Sequence, residues 1–258
     1  MLSRNRRLRL LARLDEAGLA SVGTLARDLD VSPSTIRRDL ARLAADGSLV
    51  RTYGGAAAGA VLAGRDTLDP GLASKRAIGA LASALVEDGQ TIAISSGTTA
   101  LEFARCLVDR RLTVITNALD VVGVLLDRPS IELIVLGGVV RPGMHSLLGH
   151  LAELALHELR ADALFMGIGA LSAERGLMND AIPEILTDRA LRRASSACIV
   201  LADSSKLGAV APAFVFGTEE VDTLVTDADA DPRQVAALEA RGMRVLLAAI
   251  PERSSSPT

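Results

Sequence analysis

Five side chains suited to phosphate oxygens and base edges fall within seven consecutive positions of this 258-residue sequence: Ser32, Ser34, Thr35, Arg37 and Arg38. Hydroxyls hydrogen-bond phosphate oxygens, and a guanidinium binds the guanine edge through two parallel bonds. Ser32 is a good N-cap, and Pro33 fits the first helical position, where a missing N–H costs nothing. Ile36, Leu40 and Leu43 then recur at i, i+4 and i+7, which marks one buried face. Ser34, Thr35, Arg37 and Arg38 lie off that stripe, near the helix end whose dipole favours anions. A capped surface helix with solvated arginines could share this pattern, so the neighbouring residues decide.

A second set of residues suits a small anion. Ser95-Ser96-Gly97-Thr98-Thr99 reads as a strand-to-helix turn whose backbone N–H groups can cradle a phosphate. In Gly137-Gly138-Val139-Val140-Arg141, two glycines permit close backbone approach and Arg141 adds a charge. Asp203-Ser204-Ser205-Lys206 follows an apolar strand. Arginine outnumbers lysine 26 to 2, so Lys75 and Lys206 stand where a compact, rotatable ammonium is not replaced by a guanidinium. Lys206 is expected to bind an anion. His145, His150 and His157 are spaced by five and seven, unlike the i, i+4 pair of a helical metal site. They are expected at a surface or interface, and neither a metal nor a cofactor is expected.

The elements that must position these groups alternate in type along the chain. Residues 4–17 read as a helix stopped by Gly18, and Ser21 caps a short second helix with Val22, Leu25, Ala26 and Leu29 inward. The Ser32 helix follows to Ala45. Leu49-Val50-Arg51 is a strand and Tyr53-Gly54-Gly55 a hairpin tip, which completes the order of a winged helix-turn-helix. Residues 58–73 read as a linker. Strands Thr91–Ser95, Leu112–Thr116, Ile131–Leu136, Ala163–Met166, Ala197–Ala202, Thr223–Val225 and Arg244–Leu247 then alternate with helices. Continuous apolar strands imply a parallel sheet covered on both faces, with ligands beyond the strands' carboxyl ends. The expected divisions are therefore 1–57 for DNA binding, 58–73 as linker, 74–250 for ligand sensing and oligomerisation, and 251–258 as a disordered tail.

Charge supports that division. Residues 1–60 hold ten arginines against six carboxylates, while the remainder holds 18 basic against 25 acidic residues. A basic head on an acidic body fits an anionic polymer held at one end. Aromatic residues make up 2% of the sequence, too few for a stacking platform on single-stranded nucleic acid. No apolar run reaches membrane-spanning length and the start lacks signal-peptide character, so a cytoplasmic protein is expected. Cys106 and Cys198 lie in apolar stretches and are expected as buried free thiols.

Residues 8–56 resemble the N-terminal domain of the DeoR family of bacterial transcriptional regulators. The resemblance is carried by Val31-Ser32-Pro33-Ser34-Thr35-Ile36-Arg37-Arg38-Asp39-Leu40 and by Arg51-Thr52-Tyr53-Gly54-Gly55-Ala56. It continues through Gly97-Thr98-Thr99, Thr116-Asn117, Leu136-Gly137-Gly138, Gly149, Ala161-Asp162 and Asp203-Ser204-Ser205-Lys206. The resemblance implies a Rossmann-like C-terminal sensor domain akin to ribose-5-phosphate isomerases and CoA transferases. It implies a repressor of a carbohydrate or catabolic operon, controlled by a phosphorylated sugar or related anion and working on double-stranded operator DNA as a dimer or tetramer. The implied DNA-facing set is Ser32, Ser34, Thr35, Arg37, Arg38, Arg51, Tyr53 and Gly54, with Asp39 turned to the protein. The implied effector set is Ser95, Ser96, Gly97, Thr98, Thr99, Asn117, Gly137, Gly138, Arg141, Glu184, Asp203 and Lys206.

Three positions depart from the family pattern: Ser74 and Ser95 stand where an acid is usual, and Asp188 where a lysine is usual. A serine at 95 accepts hydrogen bonds without charge, so the phosphate cradle is expected to persist more than the sugar contacts, and the effector to be atypical. Glu184, Asp203 and Lys206 could also form an acid–base set, which leaves an isomerase-like enzyme as the competing class. A DNA-binding regulator with an unresponsive pocket is the third reading. Fold alone does not carry function. Replacing Arg37 by Ala is expected to cost about 1–3 kcal/mol of operator affinity if its guanidinium is bidentate to guanine. Titration at fixed salt checks this, and an unchanged dissociation constant removes Arg37 from the recognition set.

Overall fold

The computed structural model describes residues 10, 19–29, 31–32, 34–36, 38–40, 49–52, 55–58, 71–141 and 144–250. The expected helix over 4–17 lies outside them except for Leu10. Pro33, Arg37, Leu43, Tyr53, Gly54, residues 59–70 and the tail also lie outside. The chain divides into two compact units, Met1–Asp69 and Pro70–Thr258.

In the first unit, β1 (Leu19–Ser21) leads into α1 (Val22–Asp28), and β2 (Leu49–Thr52) pairs antiparallel with β3 (Gly55–Ala58). Thr52 opposes Gly55 in that ladder, as the expected hairpin tip requires. Residues 34–36 and 38–40 are helical. Leu10, Val22, Leu25, Ala26, Ile36 and Leu40 form one buried cluster, with Leu29 and Val31 packed against it. The i, i+4 spacing of Ile36 and Leu40 thus does what it predicts. Strand β1 was not expected. Three residues are too short for an alternation, and it exists because β3 is the middle strand and offers its second edge. The same pairing carries β3 through Ala58, the first residue of the expected linker.

The second unit is built on seven parallel strands. These are β4 (Thr91–Ile94), β5 (Leu112–Thr116), β6 (Ile131–Val135), β9 (Ala161–Gly167), β12 (Ser195–Leu201), β14 (Thr223–Asp227) and β15 (Arg244–Ala248). Their order is β15-β14-β12-β9-β4-β5-β6. Side chains alternate between two cores, as period-two strands buried on both faces must. Ile92, Ile94, Val114, Phe165, Ile199, Leu201 and Val225 face one core. That core is covered by α2 (Leu72–Ser83), α3 (Thr98–Arg105) and α4 (Leu119–Leu125). Ala93, Leu164, Met166, Cys198, Val200 and Leu224 face the other. The helices α5 (His150–Glu158), α6 (Ile185–Arg193) and α7 (Pro232–Glu239) belong to that side. With only four phenylalanines in the chain, Phe103 of α3 and Phe165 of β9 stack at 4.3 Å between centroids.

Two small antiparallel elements were missed in the sequence. A hairpin of β7 (Val139–Arg141) and β8 (Ser146–Leu148) follows β6. A three-stranded sheet joins β10 (Ala170–Ser172), β11 (Gly176–Asn179) and β13 (Ala213–Phe216). Helix α2 begins at Leu72, inside the stretch expected as linker, because Gly71 rather than Ser74 occupies the N-cap and its carbonyl accepts from Lys75 N at 3.0 Å. Cys198 is buried, as expected, and burial pushes its thiol up to about 12. Cys106 corrects the expectation. It caps the C-terminus of α3 and is exposed, because its apolar sequence neighbours fall on the buried sides of the turn.

Helices α2 and α3 touch through backbone. A Cβ on Gly79 would lie 2.7 Å from Phe103 N and 2.8 Å from the Glu102 carbonyl carbon. Arg76 of α2 reaches the buried Glu102 carboxylate across the same contact at 3.2 Å, and Arg105, on α3 itself, holds its other oxygen at 3.2 Å. Replacing Gly79 by Ala should destabilise the protein by about 1–3 kcal/mol through overpacking, read as a lower urea midpoint. An unchanged midpoint means the helices separate freely.

Candidate functional site

Before helical residues 34–36, Ser32 does what an N-cap does. Its Oγ accepts from Thr35 N at 3.3 Å and hydrogen-bonds the hydroxyls of Ser34 and Thr35 at 2.9 and 2.8 Å. Ser34 and Arg38 are exposed and Thr35 half-exposed, while Ile36, Asp39 and Leu40 are buried. The polar residues therefore share the outer side of this helical turn. Asp39 is engaged within the chain, as its expected inward role requires. Arg51 lies on β2. Arg37, Tyr53 and Gly54 lie outside the described residues.

The second site forms where the strand order reverses. From β4 the chain steps outward to β5 and β6. It then returns to β9 on the other side of β4 and steps outward to β12, β14 and β15. Crevices at such reversals, beyond the strands' carboxyl ends, are where open α/β sheets bind ligands. The loops after β4 and β9 meet there. Ser95 N donates to Phe165 O at 3.1 Å, and Ser95 Oγ accepts from Gly167 N at 3.2 Å. The Ser95 hydroxyl, buried and donating to Ser96 O, ties the two strand ends together. It fixes the spacing of those two strand ends.

Gly97 opens the cradle. It sits at φ +131°, a conformation that favours glycine, and a Cβ there would meet no atom within 4 Å. No side chain caps the N-terminus of α3, so the first-turn N–H groups of Thr98 and Thr99 are presented at the helix's positive end. Thr99 is buried, while Ser96 and Thr98 are half-buried. Lys206 lies on the 3-10 turn Ser204–Lys206 that follows β12, and β12 is separated from β4 in the sheet by β9. Among the described residues its ammonium makes no salt bridge. Asp203 serves the turn that carries it, accepting from Ser205 N at 3.1 Å and from the Ser205 hydroxyl. Asp227, fully buried, fixes the same turn by accepting from Ser204 N at 2.8 Å.

Other expected residues gather around the β7–β8 hairpin. Gly137 and Gly138 follow β6, the strand at the opposite edge of the sheet from β15. Gly138 is a packing residue, since a Cβ would lie 2.4 Å from Leu148 O. The β7–β8 hairpin carries Arg141 to Glu184, with Nη1 2.7 Å from Oε1 but off the line of a directed N–H bond. Ser146 Oγ donates to the same oxygen at 3.2 Å. Asn117, fully buried at the end of β5, donates to Leu147 O at 3.3 Å, and its Oδ1 has no protein partner. His145 pairs with Asp120 at 2.8 Å, whereas His150 and His157 are exposed on α5. Among the described residues, no three His, Cys, Asp or Glu side chains are grouped to hold a metal ion.

Three residues that sequence reasoning missed, Ser146, Asn179 and Asp227, lie at this edge with Asp188, which the sequence marks only as a departure from the family pattern. Asn179 Oδ1 accepts from Gly169 N at 2.8 Å and Nδ2 donates to Asp188 Oδ2 at 3.0 Å. Asp188 is buried one turn after Glu184. Burial first, and the neighbouring Glu184 carboxylate second, push its carboxyl up to about 7, against the Asn179 hydrogen bond that favours the charged form. Arg141 supplies beside Glu184 the positive charge that Asp188 does not.

Comparisons with known proteins agree with this architecture. A family model described as DeoR-like helix-turn-helix domain matches residues 6–59, and one described as DeoR C terminal sensor domain matches residues 72–228. The chain is 31% identical to a putative aga operon transcriptional repressor of Escherichia coli O157:H7, over 94% of this chain and 93% of that protein. It is 30% identical to the transcriptional repressor AccR of Agrobacterium fabrum, over 97% and 95%. Among solved structures, ribose 5-phosphate isomerase A from Methanocaldococcus jannaschii matches at 19% identity with a TM-score of 0.39, over 51% of this chain and 52% of that one.

Because the folded pKa of Asp188 lies above its unfolded value, the folded state binds the proton more tightly. That stabilisation is complete below about pH 4 and lost as the pH rises through 7. Asp188→Asn should therefore be more stable than wild type at pH 8, on the order of 2 kcal/mol, and lose the difference by pH 4. Thermal melts across that range test it, and a difference independent of pH assigns the effect elsewhere.

Proposed function

The chain belongs to the DeoR family of bacterial transcriptional regulators, and on that premise we propose that it represses a carbohydrate-catabolic operon under the control of a phosphorylated metabolite. It is a DNA-binding regulator and not an enzyme, as its relatives are. The observation that carries the effector reading is the uncapped N-terminus of α3 beside open space at Gly97, facing the crevice where strand order reverses. Backbone N–H groups and a helix dipole suit a phosphate dianion, and Lys206, on the turn after β12, adds a formal charge at the same edge of the sheet. Ser95 is committed to backbone and Glu184 to Arg141, so the sugar portion is read by different groups than the anion. Asn117 Oδ1 is the free buried acceptor near that portion.

The DNA end of the reading rests on Ser34, Thr35 and Arg38 facing outward from the capped helix, with the β2–β3 hairpin as the wing. Two or four heads on repeated half-sites supply the affinity that one small head lacks. Effector binding changes operator affinity only through unequal affinity for the two quaternary states. The protein works in the cytoplasm, where operon and metabolite meet. Among the described residues no helix is long and apolar enough to cross a membrane.

Fluorescence anisotropy with the DNA upstream of the chain's own gene, at modest ionic strength, tests both halves. Wild type is expected to bind and to release DNA as sugar phosphates are added. Lys206→Ala should bind DNA as wild type does and lose the release. Absence of DNA binding overturns the regulator reading, and a release that survives in Lys206→Ala moves the effector elsewhere.

A further inference from the structure

Exposed large apolar side chains gather at the β6 edge of the sensor unit. Val139 is 76% exposed, Leu151 64% and Leu154 48%, with Val135 and Val140 nearly half exposed. They belong to successive pieces of chain: the end of the edge strand β6, strand β7 and the outer side of α5. A Cβ on Gly137 would lie 3.8 Å from Leu151 Cβ, so α5 rests on the turn that joins β6 to β7 and brings these groups side by side. Apolar surface gathered in this way is the mark of an association face.

The polar residues of α5 identify its partner. Ala152 and Leu156 are buried, while His150, Leu151, Leu154, His157 and Glu158 are exposed. Two antiparallel copies of α5 related by a two-fold axis at Leu154 set Leu154 against Leu154 and Leu151 against His157. Residues 150 and 158 lie one turn either side of that axis, about 6 Å along the helix. The same axis therefore sets each His150 imidazole against a Glu158 carboxylate. A parallel pairing would instead oppose Glu158 to Glu158. The surface is complementary to its own copy, as an isologous interface requires.

We infer that this patch is the two-fold interface between two copies of the chain, with α5 packed antiparallel on α5 and β7 flanking it. The inference deepens the oligomeric regulator proposed above and rests on that reading for its purpose alone. Operator half-sites related by a two-fold axis call for heads paired in the same way.

Molar mass of the full chain by light scattering after size exclusion, at micromolar concentration, tests it without DNA or effector. The Leu151→Glu, Leu154→Glu double variant should halve the mass and keep the wild-type circular dichroism, since both side chains face solvent. His150→Glu sets like charges together and should raise the dissociation constant about tenfold. Adding Glu158→His should restore it. Leu247→Glu, on β15 at the opposite edge, should leave the mass unchanged. A monomeric wild type, a mass unmoved by the leucine pair, or failure of the double swap to restore assembly overturns the interface. So does a mass halved by Leu247→Glu. Loss of operator binding with the mass intact would count against the regulator reading and leave the interface standing.

Discussion

The hydrogen bonds from Ser95 and Gly167 across the β4–β9 seam fix the one place where the sheet reverses its direction of growth. Every parallel strand ends at the same edge, but only between β4 and β9 do the following segments diverge to opposite faces. After β4 the chain turns to α3 on one face. After β9 it enters the small antiparallel sheet on the other. The Ser95 hydroxyl ties the two diverging segments together where they leave the sheet. Gly97 stands at the N-cap of α3 there, and among the described residues no side chain caps that turn.

A buried carboxylate normally loses more in desolvation than it gains unless it is paired. Glu184 and Asp188 are two such groups one helical turn apart, and each is handled differently. Glu184 is matched by Arg141, carried over on a hairpin from the far end of the sheet. Asp188 receives one hydrogen bond from Asn179 and otherwise gives up part of its charge. The β7–β8 hairpin and the β10–β11 strands are thus held to α6 by electrostatics as much as by apolar burial. A lysine at position 188 would change that balance, which is why the departure from the family pattern matters physically and not only as a sequence difference.

The parallel strands and their covering helices were legible because both faces of each strand are buried, which writes continuous apolar runs such as Ala197–Ala202 into the sequence. Ile36 and Leu40 were legible for the corresponding reason in a helix. Gly97 to Thr99 could be found because a glycine between an apolar strand and a helix has few other uses, and Lys206 because lysine is scarce in this chain. Strands β1, β7, β8, β10 and β13 are three or four residues long, too short to show a period. Asn179, Asp188 and Ser146 were invisible as a group because they converge from separate segments through the hairpin and the small sheet. Arg141 was legible as a charge but not as the counter-ion of Glu184, a residue more than forty positions away.

Where Gly79 meets the backbone at Glu102 and Phe103, no rotamer stands between α2 and α3 to take up slack. A coupling made of main chain against main chain has little compliance, and the Arg76–Glu102 ion pair ties the two helices beside it. α3 starts at the anion cradle, and α2 is where the chain arrives from the DNA-binding unit. The pair forms one stiff piece within the sensor unit, running from Leu72 of α2 to the first turn of α3 at Thr98.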